Sequence, residues 1–154
     1  MAESLLSAPL GYAAIESLLP HAAPMVLLDA VESWDSHKIF CSAQTHLALD
    51  NPLRQGGILS VYAGVEYAAQ AQILHARLSA PVEDSGASRK GFVAVASKLE
   101  AQVRDLDEIS APLQVELTQL AVTDQSSLYQ FALSAAGTLL LHGELLAVLA
   151  PAEQ

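Results

Sequence analysis

Apolar positions along the chain follow two periods, and the change between them divides it into elements. "YAAIESLLP" (Tyr12 to Pro20) carries apolar residues at helical spacing and then meets a proline, which predicts a short helix over about 12–19. "PMVLLDAVESW" (Pro24 to Trp34) has the mixed apolar character of a strand. In "KIFCSAQTHLAL", Ile39, Cys41 and Ala43 alternate against Lys38, Phe40 and Ser42, the period of a half-buried strand. The polar run from Trp34 to Lys38 joins the two as an antiparallel hairpin.

From Leu59 to Leu78 the period lengthens. Val61, Val65, Ala68, Ala69, Ile73 and Leu78 recur at helical spacing in an alanine-rich run, predicting one long helix over about 58–79. It is apolar on nearly all sides, so other elements should wrap it. "SAPVEDSGASRKG" reads as a loop. Four strand-like runs follow, "GFVAVASKLEAQV", "APLQVELTQLAV", "SSLYQFALSAA" and "TLLLHGELLAVLA", with short polar breaks that suit an antiparallel meander. Two strands, a buried helix and four strands predict an α+β domain spanning 1–154. A sheet wrapping one side of the helix leaves the other side, and the sheet edge, for a second subunit.

Composition narrows the function classes. Apolar residues make up 52% of the 154, enough for a real core. No run suits a bilayer span, and the amino terminus lacks the basic region of a signal peptide. Cys41 is the only cysteine, which excludes a disulfide scaffold or cysteine-bound metal and fits a reducing, cytoplasmic setting. The net charge of −10 argues against nucleic acid as a partner. All Lys and Arg residues lie at or before Arg104, so a local basic patch could still meet an anionic partner. Neither clustered metal ligands, nor a nucleophile elbow around Ser60, nor a glycine-rich phosphate loop is present. No metal or cofactor is therefore expected.

One polar residue on the long helix needs a reason. Glu66 sits in "NPLRQGGILSVYAGVEYAAQAQ", and burying a lone carboxylate there is costly unless it is bonded or used. Desolvation favours its protonated form, which suits a carboxylic acid that donates a proton. Gln70, one turn later, reads as a hydrogen-bonding strut.

Three stretches carry a family likeness. "LLPHAAPMVLLDAV" (Leu18 to Val31) resembles the opening motif "LPHRxPxLLVDRV" of FabZ-type 3-hydroxyacyl-acyl-carrier-protein dehydratases. "GVEYAAQ" is similar to that family's "EAMAQ" helix, with Glu66 and Gln70 in register, and "LLLHGELLAVL" to its last strand. The nearest look-alikes are the divergent dehydratase-like proteins of bacterial aryl polyene and related fatty-acid clusters. The resemblance implies a hot-dog fold, a homodimer with sites shared between subunits, and an acyl carrier protein as partner. It also implies that a histidine removes the proton beside the thioester while a carboxylic acid protonates the departing 3-hydroxyl, each step contributing about 10²–10⁴ in rate. Glu66 is the expected acid. Gly56 and Gly57, near the helix start where backbone N–H groups could hold the thioester oxygen, and Gly64, beside which the acyl chain could pass, are the expected substrate-binding positions.

The sequence departs from the family at the base. The family's histidine lies in a "GHFP" loop; here that position is Pro52, and no "GHF" occurs. Among the five histidines His46 is the expected base, because it ends the second strand at the edge of the same loop; His21 is expected to support the opening loop. Arg54, Arg77, Arg89 and Lys90 are candidates for contacting the carrier or its phosphate, with an ordinary surface cation as the alternative for each. The functional alternatives are a non-catalytic subunit that binds acyl chains or pairs with an active homologue, and a hot-dog thioesterase using Glu66 alone.

Overall fold

The computed structural model describes residues 9–79 and 92–149. Its elements are α1 (Tyr12–Leu18), β1 (Ala30–Trp34), β2 (Lys38–Ala43), α2 (Gly64–Ser79), β3 (Phe92–Ala101), β4 (Leu113–Val122), β5 (Ser126–Ala135) and β6 (Thr138–Leu149). The strands form one antiparallel sheet in the order β1-β2-β4-β5-β6-β3, with α2 against one face. This is the α+β hot-dog architecture. No described helix is long and apolar enough to cross a membrane.

The alternation in the strands explains where α2 lies. Val31, Cys41, Val115, Leu133, Leu141 and Ala101 are successive cross-strand partners, so one row crosses all six strands. All but Ala101 are buried, and they form a floor for the helix. The start of α2 rests on that row. A Cβ added at Gly64 would stand 2.6 Å from Leu133 Cδ2 and 3.1 Å from Leu141 Cδ2. Tyr67, Ala68, Ala71, Leu74 and His75 continue the buried face, while Val65, Glu66, Ala69 and Ile73 form a half-exposed stripe. The all-round apolar helix is therefore wrapped on one side only.

Two expectations need correction. The four late strands are not one meander. Only β4, β5 and β6 run consecutively; β3 pairs with β6 at the far edge, and β4 inserts between β2 and β5. The segment 24–29, apolar enough to read as strand, is irregular, and β1 begins only at Ala30. Val26, Leu27 and Leu28 are all buried, and part of this backbone is bonded by a side chain of α2 rather than by a strand. The expected loop holding Arg89 and Lys90 lies outside the described residues.

Candidate active site

Glu66 occupies the first turn of α2. A 3-10 turn, Val61–Ala63, leads into the helix and is capped by Ser60, whose Oγ accepts from the Tyr62 N–H at 3.1 Å. The Glu66 side chain is 35% exposed, so the carboxyl is half-buried rather than sealed. It meets two groups from this chain. His21 Nε2 lies 3.3 Å from Oε2, and Gln70 Nε2 lies 3.5 Å from the same oxygen, at the limit of a hydrogen bond. Among the described residues Oε1 has no hydrogen-bond partner.

Gln70 explains how His21 arrives there. The Gln70 side chain is fully buried; its Oε1 accepts from the Leu27 N–H at 2.9 Å and its Nε2 donates to the Met25 carbonyl at 2.7 Å. One amide therefore fastens the irregular segment after α1 to the helix that carries Glu66. A second network holds the same region. Tyr67 Oη bonds Thr45 Oγ1 at 2.8 Å and accepts from Asn51 Nδ2 at 3.1 Å, and Thr45 Oγ1 donates to the Leu27 carbonyl at 2.6 Å. Burial pushes the Tyr67 phenol above its ordinary range, so it serves here as a neutral hydrogen-bonding group.

His46 does not fit the role of base. It lies in a 3-10 turn, Thr45–Leu47, and is fully buried, with Nε2 2.7 Å from the Ile109 carbonyl. An imidazole with no accessible surface reaches neither substrate nor a group on another subunit. Burial also lowers its pKa. Pro52, at the position of the family's loop histidine, sits in an exposed turn in which Asn51 Oδ1 accepts from the Leu53 N–H at 2.8 Å. His75 is buried between Tyr129 Oη and the Asp35 carbonyl, His37 pairs with Ser36, and His142 lies 3.4 Å from Glu100 across β3 and β6. His21 is thus the histidine that meets Glu66. The sequence reads it as loop support, with lining of the site as the alternative, because the segment linking the two motifs hides their approach.

The glycines divide. The open side of Gly64 is filled by Leu133 and Leu141, so it serves close helix–sheet packing and not passage of an acyl chain. Gly56 and Gly57 have φ of +60° and +82°, with nothing within 4 Å of either added Cβ. They form the tip of a turn closed between Gln55 and Ile58, and their N–H groups have no acceptor among the described residues. The donors at the start of α2, by contrast, are occupied: Leu59 by Asp107, Val61 by Arg104, Tyr62 and Ala63 by Ser60. The bond from Leu59 holds the Asp107 carboxyl below its usual range. Arg54 is also engaged internally. Nε, Nη1 and Nη2 donate to the carbonyls of Ala48, Gly57 and His46 at 2.8, 2.7 and 3.1 Å, so it braces the loop before α2 rather than facing a carrier.

An open cavity of about 640 Å³ lies away from Glu66, lined by Asp29, Glu32, Ser42, Gln44 and Gln114 among others. It holds no group for acid–base work on a hydroxyacyl chain beyond a pair of carboxylates already bonded locally, Asp29 to the Gln44 N–H and Glu32 to Ser42 Oγ. Glu66 is not among its lining residues, and the Glu66 side chain is 35% exposed in a single chain.

Comparison with known proteins bears on the family and the fold. The ApeP-like family, described as ApeP dehydratase, matches residues 13–154. No curated protein matches the sequence. Among solved structures, the dehydratase heterocomplex ApeI:P from Xenorhabdus doucetiae superposes with a TM-score of 0.71 at 21% identity, over 89% of this chain and 91% of that one. Zebrafish thioesterase superfamily member 2 gives 0.62 at 12% identity, over 90% and 94%. AziG from S. sahachiroi gives 0.59 at 15% identity, over 87% and 99%. At these identities the structural matches establish the shared fold.

Proposed function

The chain belongs to the ApeP-like dehydratase family, and from that premise we propose that it provides the acid of a dehydratase site whose base comes from a homologous partner chain. The substrate is a 3-hydroxyacyl thioester carried on acyl carrier protein. The partner's imidazole removes the proton on the carbon beside the thioester. Glu66 gives its proton to the 3-hydroxyl, the carbon–oxygen bond breaks, water leaves, and a double bond forms between carbons 2 and 3. Proton exchange with solvent resets both groups. The unoccupied N–H groups of Gly56 and Gly57 are the candidates for holding the thioester oxygen as it gains charge.

One observation carries this reading: the reaction needs an acid and a separate free base, and the histidine that this chain brings to Glu66, His21, is already in contact with that acid. Glu66 is half-exposed on the open stripe of α2, while His46 is sealed and proline stands at the loop position. The heterocomplex formed by a structural relative supports pairing with a homologue.

The test mixes the purified chain with a homologous hot-dog dehydratase that carries the loop histidine, and follows a 3-hydroxyacyl carrier-protein thioester by mass. The mixed pair is expected to release the enoyl product, the chain alone to release none, and Glu66→Gln in the mixed pair to slow turnover about 10²–10⁴-fold. Full activity of Glu66→Gln would remove the acid assignment. Turnover by the chain alone would remove the partner, and free acid as product would make the protein a thioesterase.

A further inference from the structure

The two contacts on Glu66 fall on one oxygen. His21 and Gln70 both approach Oε2, and Oε1 has no partner among the described residues. A carboxylic acid that donates to a leaving hydroxyl uses one oxygen for the proton and leaves the other as an acceptor. The observed contacts make that division.

The far side of the imidazole decides which proton His21 carries. Its Nδ1 is buried without a hydrogen-bond partner. An N–H at that nitrogen would be a buried orphan donor, costing about 1–3 kcal/mol, whereas a bare ring nitrogen there is the milder fault. The neutral tautomer with its proton on Nε2 is the better of the two: Nε2–H donates to Oε2, and the unprotonated Nδ1 leaves no orphan donor.

We propose that His21 is a positioning residue for Glu66, a neutral Nε2–H donor that pins Oε2 and leaves Oε1 as the oxygen that delivers the proton. This rests on the reading of Glu66 as the acid. The pin is built within one chain: the segment after α1 brings His21 in, and Gln70 fastens that segment through Met25 and Leu27. A partner subunit therefore meets an acid that is already oriented.

The experiment has two parts. In the mixed dehydratase assay, His21→Phe is expected to lower kcat at least about 10-fold with KM unchanged, a fraction of the whole acid contribution. His21→Gln, whose Nε2 amide keeps a neutral donor at the reach of the imidazole Nε2, is expected to recover most of that loss. The double variant E66Q/H21F should be no slower than E66Q, because His21 acts through Glu66. Losses that multiply in the double variant, an equal defect in His21→Gln and His21→Phe, or wild-type kcat in His21→Phe would each overturn the proposal. If E66Q itself stays fully active, it is the acid assignment that fails. The second part needs no turnover: nitrogen-15 NMR of the His21 ring near pH 7.5 should show protonated Nε2 and bare Nδ1. A ring protonated at Nδ1 would refute the pin even in a chain with no measurable activity.

Discussion

Gln70→Met is the sharpest structural perturbation available. The side chain is 0% exposed and bonds two backbone groups of a segment that has no strand partner there, Leu27 N–H at 2.9 Å and Met25 carbonyl at 2.7 Å. Methionine has similar length and makes neither bond. Each backbone group left unpaired costs about 1–3 kcal/mol, the upper part of that range applying to the fully buried Leu27. Apolar burial of methionine returns about 1.5–3 kcal/mol. With Leu27 at about 2–3 and Met25 at about 1–3 kcal/mol, the net loss is about 0–4.5 kcal/mol, centred near 2, and at that centre Tm falls by about 4–8 °C for a chain of this size. Gln72→Met is the control. Its Nε2 bonds Ser127 Oγ and carbonyl at 3.0 and 3.3 Å, but Ser127 is half-exposed and water can replace the lost bonds, so the cost should stay below about 1 kcal/mol. Urea and thermal unfolding at one fixed protein concentration make the measurement, since association shifts apparent stability. If Gln70→Met unfolds within about 0.5 kcal/mol of the wild type, or no differently from Gln72→Met, the tie between the two segments is not what holds them.

Stability should fall as pH drops below about 6.5, the unfolded-state value for histidine. Burial lowers the pKa of His46 and His75, so the unfolded chain binds more protons; their contribution is complete above that value and is lost as pH falls through the folded ones. Asp35, lowered by the N–H groups of His37 and Lys38, and Asp107 act in the same direction only near pH 4 and below, so a flat urea midpoint between pH 7.5 and 5 would contradict the buried histidines. Arg54→Lys keeps the charge but not the three carbonyl bonds, and should cost about 1–2 kcal/mol in thermal unfolding; an unchanged Tm would return Arg54 to the list of surface cations.

Much of this architecture is readable in the sequence because local pattern and tertiary role coincide. The long apolar run gave α2, and the alternations in β2, β4, β5 and β6 gave strands whose buried positions form one row. Glu66 and Gln70 stand out because polar residues on an apolar helix need partners. What fails to show is set by contacts distant in sequence. Segment 24–29 looks like a strand because apolar content cannot reveal that Gln70 bonds its backbone. His46 looks available because Ile109, which covers it, lies far along the chain. Gly64 looks like a passage because its packing against Leu133 and Leu141 depends on sheet order. The meeting of His21 with Glu66 belongs to the same class: each motif announces itself, and their junction does not.

Symmetry gives the division of labour its logic. In a two-fold homodimer each composite site contains the same residues, so a group missing from the chain is missing from both sites. A second copy would bring another Glu66, another Pro52 and another sealed His46. It would bring another His21, but one already held against its own Glu66, and not a free imidazole for the proton on the carbon beside the thioester. A homologue that keeps the loop histidine repairs one site at once, and it does so at the half-exposed stripe of α2 where Glu66 already waits with Oε2 held. Loss of the base from one chain then has a structural consequence beyond lost activity. On the reading proposed above, it makes the identity of the neighbour part of the catalytic machinery, and a chain that only donates the proton then requires an assembly of unlike subunits.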